Sequence, residues 1–370
     1  MDVIKLTQRL LAFDTVNPPG NETSCAAFLH DLLTAAGFEA QLYPMPDGRT
    51  NLVAYIGNGT GKPLAFTGHL DTVPLGNRPW NVSPFAGDII DGRLYGRGST
   101  DMKAGVAAFV CAAILQVDRL KQGPGTLLLI TCGEETGCDG ARHLVQSITL
   151  PPVAGLIVAE PTLNRPAHGH KGVLWLKATS RGVTAHGSMP ERGDNAILKA
   201  ARFIARLEKF GFDTPAHPVM GRPTVNVGTM HGGLNLNSVP DLAETEIDLR
   251  SVPPMQHAKL KTQIEQLAKD DAEITTLLDL PPVWTDPNMT IVKRIGDISA
   301  ASTRASVAPA SVSYFTDAAL LQPALQNAPT VILGPGDPAL AHQTDEYCVV
   351  KNIIQAVEIY RALLNDFAKT

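Results

Sequence analysis

The sequence has few cysteines and no pattern that would pair them. Cys25, Cys111, Cys132, Cys138 and Cys348 form no C-x-x-C unit and no even framework, which fits reduced thiols in a cytoplasm. Cys132 and Cys138 flank an acidic pair, but small buried hydrophobes account for them better than soft metal ligands. No basic run exists and the net charge is −5, so neither nucleic acid nor an anionic membrane is an expected partner. The longest nearly unbroken apolar stretch, Gly105 to Leu115, is too short and too alanine-rich to span a bilayer. Met1-Asp2-Val3-Ile4-Lys5 meets an acid at once and continues as an amphipathic helix, unlike a signal or transit peptide. A cytoplasmic location is therefore the expectation. No G-x-G-x-x-G follows the first strand, which disfavours a dinucleotide-dependent oxidoreductase. Gly57 to Lys62 is glycine-rich, but its spacing does not suit a phosphate loop and Pro63 stands where Ser or Thr is required. It reads as a hairpin turn. There is no repeat and no low-complexity tract.

What is present is apolar material in quantity and acids in particular places. Of 370 residues, 44% are apolar and 18% charged, enough for a large core and two domains. The chain is organised around Thr67-Gly68-His69-Leu70-Asp71-Thr72-Val73-Pro74. An apolar run from Pro63 to Phe66 leads into it as a buried strand. His69 and Asp71, two residues apart, share one face if the strand continues. An imidazole held by a carboxylate suits a metal ligand. Taken alone, this H-x-D is more often a solvated strand-end turn. The residues downstream shift that balance.

Strands and helices alternate through the first half. Apolar strands are expected up to His69, over Thr126 to Thr131 and over Ala154 to Ala159. The first ends at His69, the second runs into Glu134-Glu135, and the third ends at Glu160. This is the signature of an α/β fold with a parallel sheet. Near Val173 the pattern changes to β-α-β-β-α-β, the order of a ferredoxin-like unit. The sheet-like pattern resumes at the Thr330 to Leu333 strand, followed by His342 and a closing helix from Val349 to Asp366. The expected organisation is a discontinuous catalytic domain, 1–173 and 282–370, with an inserted domain at 174–281.

His69, Asp101, Glu134, Glu135, Glu160 and His342 all fall at strand ends or in the loops just after them. In a parallel sheet those ends lie along one edge, where ligands bind. So many carboxylates in one place repel each other and lose solvation unless a cation holds them. Nitrogen and oxygen ligands without thiolate suit Zn²⁺, with Co²⁺ and Mn²⁺ as alternatives. Two histidines and three carboxylates exceed one tetrahedral shell. They fit two ions about 3.5–4 Å apart, sharing a carboxylate. One acid is then left as a general base. Each residue alone has a blander reading, as a solvated loop acid or a cap; six at strand ends do not.

The same residues carry a family resemblance over essentially the whole chain. The chain resembles the metallohydrolases that include acetylornithine deacetylase, succinyl-diaminopimelate desuccinylase, aminoacylase and glutamate carboxypeptidase. The motifs are Leu64 to Val73, Gly96-Arg97-Gly98-Ser99-Thr100-Asp101-Met102-Lys103 with Gly105, and Glu134-Glu135 with Gly137. Ala159-Glu160-Pro161-Thr162, Ala185-His186-Gly187-Ser188, Gly232-Gly233 with Asn237 and Pro240, and Ala341 to Glu346 follow in order.

The resemblance implies a zinc-peptidase-like catalytic domain, mixed but mainly parallel and sandwiched by helices, with an inserted ferredoxin-like lid and dimerisation domain. It implies that Asp101 bridges two zinc ions, that His69 and Glu160 hold one, and that Glu135 and His342 hold the other. Asp71 would orient His69, and Glu134 would act as general base and acid. His186 would stabilise an oxyanion, reaching a partner subunit's site in a homodimer. Arg250, Asn237 and Thr316 would contact substrate, and Lys171 is a weaker candidate for the same task. The substrate implied is a small N-acyl amino acid or a dipeptide. Gly334-Pro335-Gly336-Asp337 onward leans toward an acetylornithine deacetylase-like activity. Desuccinylase-type, dipeptidase or glutamate carboxypeptidase activity is the alternative. A non-catalytic relative would be expected to lose Glu134 or His186, and both are present.

Overall fold

The structure is a computed structural model, which describes residues 1–304 and 308–368. The chain divides into two compact units. The larger comprises Met1–Gly169, Trp284–Ala310 and Thr316–Thr370; the smaller comprises His170–Val283 with Ser311–Phe315. That last segment gives no sequence pattern of its own. It joins the smaller unit through a bridge between Val312 and His170.

A six-stranded sheet runs through the larger unit in the order Glu39–Pro44, Thr50–Ile56, Thr126–Thr131, Leu64–His69, Gly155–Val158, Thr330–Ile332. The first two strand pairings are antiparallel and the remaining three parallel. Every residue of Leu64–His69, Thr126–Thr131 and Gly155–Val158 is buried, so both sheet faces are covered. Ala104–Ile114 is apolar on all sides and correspondingly buried along nearly its whole length. It packs with Val350–Phe367, whose Tyr360 ring meets Phe66 edge-on at 5.2 Å. The sequence pattern extends the first of these helices from Lys103 to Leu120. In the structure it stops at Ile114, and a short turn of helix, Val117–Leu120, follows.

Register decides where the acids emerge. His69 pairs with Thr131, and Thr67 with Val158. The parallel strands therefore end level, and the residues just beyond them (Cys132 to Glu135, and Glu160) share one edge with His69. Two glycines let the backbone crowd there. A Cβ at Gly334 would lie 2.2 Å from the Ala159 carbonyl oxygen, beside Glu160. At Gly133 the φ is +67° and a Cβ would lie 2.2 Å from Arg49 Nη2.

The smaller unit is an antiparallel sheet in the order Thr224–Gly232, Leu242–Ser251, Gly172–Arg181, Glu273–Leu280. With Ala196–Leu207 and His257–Ala268 it makes a ferredoxin-like β-α-β-β-α-β unit. Burial alternates along Gly172–Arg181 and Leu242–Ser251. One face supplies Leu174, Leu176, Ile247 and Leu249 to a core with Phe203, Leu260 and Ile264 from the helices. The other presents Trp175, Lys177, Glu244, Glu246, Asp248 and Arg250. Among the described residues, no helix is long and apolar enough to cross a membrane.

Candidate metal centre and active site

Two groups of metal-ligand type form and share a residue; His69, Glu135 and Glu160 come from the ends of the parallel strands, whereas Asp101 follows Arg93–Tyr95 of a separate antiparallel sheet and His342 lies in a loop. His69, Asp101 and Glu160 make one; Asp101, Glu135 and His342 make the other. Asp101 Oδ1 is 3.3 Å from His69 Nε2, and Asp101 Oδ2 is 3.4 Å from His342 Nε2. Glu160 Oε1 lies 3.6 Å from His69 Nε2, and Glu135 Oε2 lies 3.2 Å from His342 Nε2. The first group is the more buried. In the second, the His342 side chain is 53% exposed.

These atoms have the form of ligands waiting for a cation. His69 Nε2, Asp101 Oδ1 and Glu135 Oε1 are buried and lack hydrogen-bond partners among the described residues. Such orphans are costly unless something charged meets them. The titration behaviour agrees. Burial raises the Asp101 carboxyl, but the His342 and His69 side chains outweigh it and hold Asp101 below the usual carboxylate range. The Asp101 and Glu135 side chains push His342 up to about 10. Without a cation, protons on imidazole balance the acids; a dication would displace them. The donor set, nitrogen and oxygen only, fits zinc or a similar ion.

The supports of these residues differ from the sequence reading in one respect. The H-x-D pattern assigns the orientation of His69 to the Asp71 carboxylate. In the structure His69 Nδ1–H donates to the Asp71 backbone carbonyl at 2.9 Å, with the carboxylate Oδ1 at 3.6 Å. That bond fixes the tautomer and leaves the Nε2 lone pair for a metal. The Asp71 carboxylate instead holds the acidic turn. Oδ1 accepts the Glu134 N–H at 3.1 Å, and Oδ2 accepts the Glu135 N–H at 3.2 Å and Asn17 Nδ2 at 2.9 Å. Asp71→Asn turns one acceptor into a donor facing those N–H groups. It is expected to lower kcat or metal affinity about 10–100-fold, checked by steady-state assay with chelator competition.

Glu134 is 5% exposed. Burial first, then the nearby Glu160 and Glu135 carboxylates, raise its carboxyl well above the ordinary value against the pull of His69. A carboxyl placed beside both ligand groups, and belonging to neither, can take and return a proton.

Sequence reasoning passes over several supporting residues. Glu22 is fully buried and paired with Arg49 at 3.2 Å, while Arg49 also lies 3.9 Å from Asp71. Glu346 is buried with Arg97 at 2.5 Å. A charged residue at the start or end of an apolar pattern was the available signal for both. Burial pushes the Glu346 carboxyl up to about 7, against the pull of Arg97 and the Gly98 N–H. His342 has a φ of +64°, a conformation that costs a non-glycine residue about 1–3 kcal/mol unless its surroundings fix it.

The remaining named residues have partners of their own. His186 is exposed, and its Nδ1 accepts the Ser188 N–H at 3.1 Å, so a neutral ring carries its proton on Nε2. Gly187 N–H donates to the Asn237 carbonyl at 2.7 Å, which brings the loops of His186 and Asn237 together. Arg250 is bound to Asp248 on its own strand, Nε to Oδ1 at 2.9 Å. Lys171 Nζ donates to the Arg222 carbonyl at 2.6 Å. Thr316 is fully buried, and its hydroxyl accepts the Ala318 N–H at 3.2 Å, at the start of Ala318–Ala324. Cys132 and Cys138 are buried thiols with raised pKa, burial being the first cause.

A second constellation mimics a nucleophile triad. Ser251 Oγ is 2.6 Å from His257 Nε2, and His257 Nδ1 is 2.5 Å from Asp279 Oδ1. Ser251 is fully buried, and a Cβ at Gly172 would lie 2.3 Å from its hydroxyl. An acyl carbon has no room there, so the three residues act as a staple between strand ends.

Peptidase family M20/M25/M40 matches residues 65–366. The chain belongs to that family. It is an M20 hydrolase acting on amide bonds. A Staphylococcus aureus protein named "Probable succinyl-diaminopimelate desuccinylase" is 32% identical over 383 aligned positions, covering 95% of each chain. An "Acetylornithine deacetylase" of Vibrio cholerae is 33% identical over 368, covering 94% of this chain and 92% of its own. Among solved structures, an M20 family metallo-carboxypeptidase from Sulfolobus solfataricus superposes with a TM-score of 0.82 at 19% identity, with complete coverage of both chains. That likeness is one of fold.

Proposed function

We propose that this M20 hydrolase is a dinuclear zinc enzyme that cleaves the amide of an N-acyl amino acid, releasing a carboxylate and a free amine. The observation that carries the reading is Asp101, one carboxylate common to two ligand groups, with an oxygen toward each histidine. His69 and Glu160 would complete one site, Glu135 and His342 the other. When bound, two dications supply Lewis acidity and lower the pKa of water at the site.

The chain's own residues would do the rest. Glu134 takes the proton of the attacking water and returns it to the leaving amine. His186, with its proton held on Nε2, is set to donate to a developing oxyanion; losing such a donor commonly costs about 10²–10³ in rate. Arg250 can exchange Asp248 for a substrate carboxylate, and Asn237 stands in the loop joined to that of His186. Thr316 and Lys171 have weaker support, since each already spends its polar group on the backbone. The inserted domain would serve as lid and dimerisation surface. Thr224–Gly232 is a sheet edge, and Leu234 and Leu236 beyond it are 92% and 102% exposed.

An acetyl group is the first choice and succinyl the second, favoured by the relative named as a desuccinylase. The test is to strip the protein with chelator, titrate zinc back, and measure amine release. Substrates would be N-acetylornithine, N-succinyl-diaminopimelate, other acetyl amino acids and a dipeptide. Activity is expected to return with zinc and to rank these acyl groups. Two zinc ions bound without turnover on any of them would overturn the substrate reading. No zinc bound would overturn the metal centre.

A further inference from the structure

Glu346 stands four residues after His342, yet its carboxylate faces the loop of Asp101. It is fully buried and accepts from four donors there. Arg97 Nη1 and the Gly98 N–H reach Oε2 at 2.5 and 3.0 Å; the Thr100 and Asp101 N–H groups reach Oε1 at 2.8 and 3.0 Å. All four partners are donors, so the ionised carboxylate is the form this nest fits. Backbone pairing reinforces the joint on both sides. Gly96 N–H donates to the Glu346 carbonyl at 2.9 Å, and Tyr347 pairs with Tyr95 in a small three-stranded sheet.

We propose that Glu346 is a positioning residue that locks the loop of His342 to the loop of Asp101 and so preforms the Asp101–Glu135–His342 site. This rests on the dinuclear reading above. His69 and Glu160 are held at sheet-strand ends and owe their places to the sheet. His342 sits in a loop, with φ of +64°, and Asp345 beside Glu346 has φ of +59°. Glu346 ties this loop to the backbone of the shared ligand, and the neighbouring Thr100 hydroxyl adds a bond to the Tyr347 carbonyl at 2.9 Å. Loss of Glu346 should therefore fall unequally on the two ions, a consequence that a purely structural role does not have.

The test uses the full chain, stripped with chelator and titrated with zinc against a chromophoric competitor. The wild type is expected to take two equivalents. Glu346→Gln keeps the size but turns an NH₂ toward the donors. It should hold the first equivalent nearly as before and bind the second about 10–100-fold more weakly, with unchanged far-UV circular dichroism. Glu346→Asp, which keeps the charge, should recover part of that loss. Wild-type affinity for both equivalents in folded Glu346→Gln overturns the proposal, and so does a lowered unfolding midpoint with affinities intact. A wild type that takes fewer than two ions overturns the dinuclear reading instead, before any variant is made. Should both variants fail to fold, hydrogen exchange on the metal-free wild type decides. The Gly98, Thr100 and Asp101 amides should be among its slowest, and rapid exchange there overturns the proposal.

Discussion

Glu134→Gln is expected to lower kcat about 10²–10⁴-fold while zinc content and unfolding midpoint stay near wild type. The two glutamates of the turn are neighbours in sequence but not in task. Glu135 Oε2 lies 3.2 Å from His342 Nε2, inside a ligand group, whereas Glu134 belongs to neither group. Both take their backbone positions from the Asp71 carboxylate, so a change of side chain at 134 leaves the turn in place. The amide of glutamine is nearly the size of the carboxylate but cannot accept a proton at neutral pH. Burial makes the difference large, because few solvent molecules can substitute for the lost base. Glu135→Gln should behave differently, losing zinc together with activity. Metal analysis beside steady-state kinetics separates the two. Equal kcat in wild type and Glu134→Gln would remove Glu134 from the chemistry.

Four of the candidate residues, His69, Glu134, Glu135 and Glu160, were legible because two rules coincide on them, whereas Asp101 and His342 come from loops outside the six-stranded sheet. A buried parallel strand reads as an unbroken apolar run, and ligands gather where such strands end. Leu64–His69, Thr126–Thr131 and Gly155–Val158 obey the first rule, and the acids just beyond them the second. The inserted ferredoxin-like unit was legible for a similar reason. Its half-buried strands alternate, and the period changes near Val173.

What supports the ligands was not legible, because hydrogen bonds to buried charges leave no period. Asp71 illustrates this. Its spacing from His69 marks it for the imidazole, but spacing does not tell a carboxylate from the carbonyl of the same residue. Glu22 and Arg49 meet across 27 positions, and Glu346 and Arg97 across 249, each pair inside segments that read as turns or helix starts. Ile89–Ile90 and Arg93–Tyr95, with Tyr347–Val349, were hidden for another reason. Strands of two or three residues are too short to show alternation. Thr316 was drawn toward substrate by resemblance alone; in the structure its hydroxyl accepts the Ala318 N–H.

Asp101→Ala should do more damage to metal binding than any other single change. Every other ligand serves one group, so its loss leaves three residues of the opposite group intact. Removing Asp101 leaves His69 with Glu160, and Glu135 with His342, two pairs where there were two triads. Each pair lacks the carboxylate that held Asp101 oxygen 3.3 and 3.4 Å from the imidazoles. Zinc content is expected to fall from two per chain to below one after dialysis. His342→Ala should keep one, held by His69, Asp101 and Glu160. If bound dications lower the barrier by about 4 kcal/mol, Asp101→Ala loses on the order of 10³ in kcat. Excess zinc should restore little of it, since two ligands cannot close a site. The fold should tolerate the change. The Asp101 contacts to Glu346 run through its backbone N–H, which alanine retains. Two ions retained by a folded Asp101→Ala chain would mean that the groups are independent, and the shared-carboxylate reading of the centre would fall.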